Sequence, residues 1–449
     1  MTGFIDEFRD FILDRTDTSP DWAEAIGTSL CSTAIGSEKR LVTLMGAIKL
    51  NVFYIMIGPS GIASKSVPIN QFARPILTEY NELVGYDMNM DPPQTCMFPG
   101  HFSIEGILQY LSNPDTIHNG ILMRDEFTNM FADSQKQYMG GIIEFLSELY
   151  DGHLNARYTR STKLEKPTNV YASILAATTP YIYKVMTTDF FVQGTGNRVL
   201  WVLWDKEVRR KTYQSPHDFF GMHKDEERKI WCKDMAKKLV KIQESKVITV
   251  HPGDEEAGKL WMEQENKWKD ELTERFNENI YDLQQLYLGK IGQSALKLAG
   301  IHVFSRNVDK LPNIPDHVTT LPLEVEDMEW GLSRANKHVD YFQELLEQWR
   351  TRPIHTEVRS LDEQVQYVKD RITDSKDGLT WSALRQNVKW EKRMWLEVLS
   401  QLYDTKELVG VVYTPKIGRP GIKFYDTGRK PKNSMAIPWE TLVHSLKLR

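Results

Sequence analysis

The stretch Asn51-Val52-Phe53-Tyr54-Ile55-Met56-Ile57-Gly58-Pro59-Ser60-Gly61-Ile62-Ala63-Ser64-Lys65-Ser66 decides the reading of this chain. A run of apolar residues fit for a buried strand leads into a glycine-containing loop, and a Lys-Ser pair opens a helix. This is the layout of a phosphate-binding loop. Gly58, Ser60, Gly61, Ala63 and Ser64 would line it, with backbone amides and the helix N-terminus directed at an anion. Lys65 would neutralise terminal phosphate oxygens, and the Ser66 hydroxyl would hold Mg²⁺. The spacing departs from the common pattern. Ala63-Ser64 stand before the lysine where a glycine is usual, and Gly58 lies one residue too far upstream. The alternative is a strand–turn–helix junction with a solvated lysine.

Three further elements have the character of core strands flanked by chemistry-bearing residues. Strand candidates besides Val52–Ile57 are Gly120–Met123, Ala172–Ala177 and Val199–Leu203. Asp125-Glu126 close the first of these, sixty residues after Lys65. An aspartate there can hold Mg²⁺, and the adjacent glutamate can polarise an attacking water. The second ends in Thr178-Thr179-Pro180, where either hydroxyl can contact a phosphate or the water; Thr179 is the one carried into the candidate site. Arg198 precedes the third. It either reaches the phosphate of a neighbouring copy, stabilising charge in the transition state, or closes an ion pair within its own chain.

Taken in order, Lys65-Ser66, Asp125-Glu126, Ala177-Thr178-Thr179-Pro180 and Gly196-Asn197-Arg198 resemble the helicase-like P-loop ATPases of phages, plasmids and other mobile elements. They are also similar to the AAA+ module of minichromosome maintenance helicases. The resemblance covers about residues 20–345 and lies in the order of elements. It implies an ATP- and Mg²⁺-dependent DNA translocase or replicative helicase of a mobile element or virus. Such an enzyme works as a homo-oligomeric, hexameric ring on single-stranded or forked DNA, with a primase or replication-initiator partner. It further implies a helical lid whose basic sensor would be Lys290. In ring helicases the interval after the acid pair supplies pore-facing hairpins, which makes Arg157, Arg160, Lys163 and Lys166 candidate DNA contacts beside Tyr158. The alternative is a DNA-binding ATPase switch, such as a helicase loader or a transposition or defence regulator, that unwinds nothing. A structural protein with a decayed nucleotide site is a third reading.

The expected fold is α/β: a P-loop core with a helical lid and a C-terminal winged helix. The boundaries are residues 1–45 (helical, with Thr18-Ser19-Pro20-Asp21 capping a second helix), 46–210 (core), 211–350 (lid), 355–430 (winged helix) and 431–449 (tail). The winged-helix pattern comprises helices through Leu361–Ile372, Trp381–Val388 and Glu391–Leu402, then strands Val409–Tyr413 and Ile422–Tyr425. Residues 376–430 hold eleven Lys/Arg against six Asp/Glu in a chain of net charge −5. Lys389, Lys392 and Arg393 would open a recognition helix, with Lys416, Arg419 and Lys423 along the wing; this module can also bind protein.

A chain of 449 residues accommodates about three domains. Its longest apolar run, Leu50 to Ile57, is strand-sized, so no membrane partner is expected. The N-terminus lacks a secretory pattern, and Cys31, Cys96 and Cys232 form no framework or metal spacing, which fits a cytoplasmic protein.

Overall fold

A computed structural model describes residues 3–43, 46–60, 63, 65–100, 102–128, 130, 141–152, 154, 157–158, 163–164, 167, 169–186, 188–204, 222–253, 255–277, 283–351, 361–375, 378–385, 392–413, 421–431 and 434–446. It has mixed α/β architecture in two compact units, Met1–Arg350 and Thr351–Arg449.

The first unit is organised by a four-stranded parallel sheet. Phe53–Ile57 lies between Tyr171–Thr178 and Val199–Leu203, and Asn119–Arg124 pairs with the outer side of Tyr171–Thr178. The sequence-derived strands fall within a residue of these bounds. A parallel bridge from Met97 to Ile121 extends the sheet beyond Asn119–Arg124. Phe53–Ile57, Tyr171–Thr178 and Val199–Leu203 are buried along their whole length. That is why their sequences are continuously apolar instead of alternating. Phe53 meets Tyr150 edge-on at 5.1 Å between ring centroids, while its neighbour Tyr54 lies 5.6 Å from the His338 ring. Successive strand residues point to opposite faces, so helices Ile142–Asp151 and Val325–Thr351 cover the two sides.

A second sheet was not expected. Arg40–Thr43 and Gly46–Lys49 form an antiparallel hairpin, and Thr249–Pro252 pairs in parallel with both Arg40–Thr43 and Thr320–Leu323. Among the described residues of 1–45, the α-helices are therefore Phe4–Arg15 and Pro20–Ile35. Ser19 caps the second helix as expected, accepting from the Trp22 amide at 3.3 Å.

The expected separation of residues 1–45, 46–210 and 211–350 also needs correction. One hydrophobic core runs through all three. Helix Leu283–Asn307 is buried along most of its length, with Gly289, Lys290 and Gln293 exposed. Its Tyr287 hydroxyl donates to the Val199 carbonyl at 3.2 Å, and Ser305 Oγ accepts from the Ile5 amide at 2.9 Å. Helix Val325–Thr351 joins the same body through a bidentate Arg334–Glu24 pair at 2.8 and 2.7 Å.

The second unit has its own core of Val368, Ile372, Leu384, Trp395, Val398, Leu399, Leu402, Leu408 and Phe424. Helices Leu361–Asp374, Trp381–Arg385 and Lys392–Asp404 accompany an antiparallel sheet in which Gly421–Asp426 sits between Leu379–Thr380 and Leu408–Tyr413. Residues 431–449, expected to be a tail, contribute to this body. Ile437 donates its amide to the Gly410 carbonyl at 2.8 Å, and Leu442 and Val443 of helix Trp439–Ser445 are buried in the core. No helix among the described residues is long and apolar enough to cross a membrane.

Candidate functional site

All four strands of the parallel sheet end at one edge, and the sequence-singled loop, acids and hydroxyls converge there. Gly58 follows the central strand, and its amide donates to the Thr178 carbonyl at 3.1 Å. A side chain at Gly58 would stand 2.8 Å from the Ala63 Cβ and 2.8 Å from Trp22 Cη2, so glycine is required by space. Ser60 is exposed and Ala63 buried; Gly61, Ile62 and Ser64 lie outside the described residues. Lys65 is half-buried. Burial pulls its pKa below the ordinary lysine value, and the negative charge of Glu126 opposes that pull. Ser66 opens a helical run continuing to Leu83, with a π-helical turn over Ile69–Ala73. Pro68 fits at its third position because the first-turn amides have no partner within the helix.

Asp125 and Glu126 leave the end of Asn119–Arg124 in different settings. Asp125 is exposed and accepts from Asn70 Nδ2 at 2.9 Å and Arg74 Nη2 at 3.4 Å. Glu126 Oε1 accepts from Thr178 Oγ1 at 2.6 Å and from the Thr128 amide at 3.3 Å. The Thr128 and Thr178 hydroxyls also hydrogen-bond each other. Thr178 is thus the hydroxyl that meets the acid, while Thr179 sits half-buried one residue beyond. The reason is strand alternation: the residue after Thr178 turns away as the chain leaves the sheet.

These groups fit a nucleotide's phosphates with a divalent cation. Lys65 suits an anion, and the Ser66 hydroxyl and Asp125 suit Mg²⁺; the Ala63 and Lys65 amides are taken by the carbonyls of Pro59 and Ala63 at 3.2 and 2.6 Å. No group of three or more His, Cys, Asp or Glu among the described residues could hold a metal alone. Mg²⁺ matches such a site because it keeps several waters and takes few protein ligands beside substrate phosphates.

Arg198 and Lys290 lie elsewhere. Arg198 precedes Val199–Leu203, at the opposite edge of the sheet from the loop; the intervening strand spans about 13 Å. It donates through Nη2 to Asp151 Oδ2 at 2.8 Å and through Nη1 to the Gly194 carbonyl at 3.0 Å. This is the intrachain ion pair weighed above. Lys290 is exposed within Leu283–Asn307, one turn beyond Tyr287, whose bond to Val199 places this part of the helix at that same far edge. The structure therefore does not bring Lys290 to the loop: the helix that carries it runs under the wrong end of the sheet.

The sequence reading missed Asn70 and Arg74, whose signal was polar residues four and eight positions after Ser66 on a largely apolar helix. It also missed a buried network at the far edge. Lys297 is 2 % exposed and donates to the Asn51 carbonyl at 3.1 Å and Asn51 Oδ1 at 2.8 Å. Its ammonium lies 3.6 Å from the Tyr150 ring centroid. Asn51 Nδ2 donates to the carbonyls of Tyr150 and Ala172 at 2.9 and 3.1 Å.

Of the nucleic-acid candidates, Arg157–Tyr158 pairs antiparallel with Lys163–Leu164, as a hairpin requires. Arg160 and Lys166 lie outside the described residues. Lys392 and Arg393 open helix Lys392–Asp404. Lys423 is on Gly421–Asp426, its ammonium 5.2 Å from the Tyr413 ring centroid. Lys389, Lys416 and Arg419 lie outside the described residues. No protein-family model matches this chain, and no curated protein is detectably similar to it.

Proposed function

We propose that the chain is a P-loop ATPase that couples ATP hydrolysis to movement on DNA, as a translocase or helicase assembled in a ring. The observation that carries this reading is the convergence of the Gly58–Ser66 loop, Asp125, Glu126 and Thr178 at the carboxyl edge of one parallel sheet. Ligands of open α/β sheets bind outside that edge, where the crossovers diverge. Lys65 would hold the phosphates. Ser66 and Asp125 would hold Mg²⁺, which supplies positive charge to the transferring phosphoryl group. Glu126, oriented by Thr178, would accept a proton from the attacking water.

Arg198 cannot reach the loop of its own chain, so any catalytic part it plays belongs to a neighbouring copy's site. DNA contact would fall to the second unit: helices Leu361–Asp374, Trp381–Arg385 and Lys392–Asp404 beside a three-stranded antiparallel sheet are consistent with a winged helix, and its sequence carries the local positive excess.

The test is ATP turnover by the purified protein, with and without single-stranded and forked DNA, beside Lys65→Ala and Arg198→Ala. DNA-stimulated turnover lost in both variants is expected, with the Arg198 loss about 10³-fold or more. Full turnover in a stable monomer would overturn the shared site. A second reading, an ATP-dependent DNA-binding switch, is favoured by the engagement of Arg198 with Asp151. Turnover indifferent to DNA, without strand separation on a fork, would select it.

A further inference from the structure

Asp125 does not stand free at the edge of the sheet. One carboxylate oxygen accepts from Asn70 Nδ2 at 2.9 Å and the other from Arg74 Nη2 at 3.4 Å. The two donors are themselves tied, Arg74 Nε donating to Asn70 Oδ1 at 2.8 Å. Ser66, Asn70 and Arg74 recur every four residues on the helix that the loop opens. The π-helical turn over Ile69–Ala73 includes Asn70 and abuts Arg74. Such turns are frequent at functional sites because the extra residue re-aims side chains. The consequence is a three-membered brace running from the helix to the acid. Neither end is deeply buried: the Arg74 and Asp125 side chains are 40 % and 45 % exposed. The brace can therefore open without unpacking the core.

From this geometry we infer that Asn70 and Arg74 regulate the cation site by competing for Asp125. The inference rests on the reading of this edge as an Mg²⁺–nucleotide site. A guanidinium on a carboxylate oxygen repels a divalent cation and occupies the lone pair that the cation's water shell would use. Filling the site requires Arg74 to withdraw. Asn70 sets how readily it does so, because its amide holds both partners at once.

The experiment is a Mg²⁺ titration of binding of a fluorescent ATP analogue to the full chain, with Arg74→Gln, Arg74→Lys and Asn70→Ala. The readout is the Mg²⁺ concentration at half-maximal binding. Arg74→Gln should lower it by about two- to fivefold, the equivalent of one part-exposed ion pair. Arg74→Lys keeps the charge and should stay near wild type. Asn70→Ala should move in the same direction as Arg74→Gln and serves if that variant misfolds. A midpoint unchanged or raised in both Arg74→Gln and Asn70→Ala, with wild-type binding intact, overturns the brace alone. Absence of Mg²⁺-dependent binding in the wild-type protein overturns the nucleotide reading and the brace with it.

Discussion

Lys297 offers a quantitative test of the packing at the edge of the sheet opposite the candidate site, independent of any function. Replacing it with Met keeps the length and removes the charge. Two opposed effects follow. The variant loses two hydrogen bonds to Asn51 and the contact with the Tyr150 ring. Each bond from a charged donor is worth about 1.5–3 kcal/mol, and the two Asn51 oxygens are left unpaired. Against this, removal of a buried charge recovers several kcal/mol of desolvation. Near neutral pH these terms are of similar size, so absolute stability decides little; its pH dependence decides more.

Burial depresses the Lys297 pKa well below 10.5, with the positive charges of Arg198 and Lys49 adding to the effect and Asp151 opposing it. Tyr150, which faces it, is pushed up to about 12 and stays neutral. The folded chain therefore holds fewer protons at this site than the unfolded chain, in the window that ends at 10.5. Stability rises with pH where the unfolded state binds more protons. The contribution is complete above 10.5 and is lost as pH falls toward the depressed folded value. Within the window each pH unit is worth about 1.4 kcal/mol. Urea denaturation of wild type and Lys297→Met at about pH 8, 9 and 10 reads the difference directly, because other titrating groups cancel between them. The wild-type protein should gain on the variant as pH rises toward 10.5, by at most about 1.4 kcal/mol per unit. A gap constant across that range would refute the reasoning.

Two further outcomes are expected at the loop edge. Gly58→Ala inserts a methyl group between Ala63 and the Trp22 ring. It should lower stability by about 1–3 kcal/mol in thermal denaturation and weaken nucleotide binding, because the loop must shift. Thr178→Val keeps the buried shape but removes the 2.6 Å bond to Glu126. ATP turnover should fall about 10- to 100-fold through misplacement of Glu126, while the affinity for the ATP analogue changes little. Loss of binding in step with turnover would show that the hydroxyl serves the loop instead of the acid.

The sequence alone determined the local elements whose pattern is dense. Phe53–Ile57, Tyr171–Thr178 and Val199–Leu203 were legible as buried strands because unbroken apolar runs of that length have nowhere to lie but inside a sheet. The second unit was readable almost element by element, since its cores and turns are local. The loop and the acid pair were legible because their chemistry follows directly from strand ends.

Tertiary structure decided the rest. Arg40–Thr43 and Gly46–Lys49 are four-residue strands, and their sheet exists only because Thr249–Pro252 and Thr320–Leu323 arrive from over two hundred residues away. No local pattern records that pairing. The choice of Thr178 over Thr179 depends on which hydroxyl the sheet register turns toward Glu126. The partner of Arg198 was undecidable from spacing, because Asp151 comes from a separate helix. Lys290 looked available for the phosphates until the helix carrying it was placed under the opposite edge. Periodicity reports which face of an element is buried, and it contains nothing about which other element does the burying.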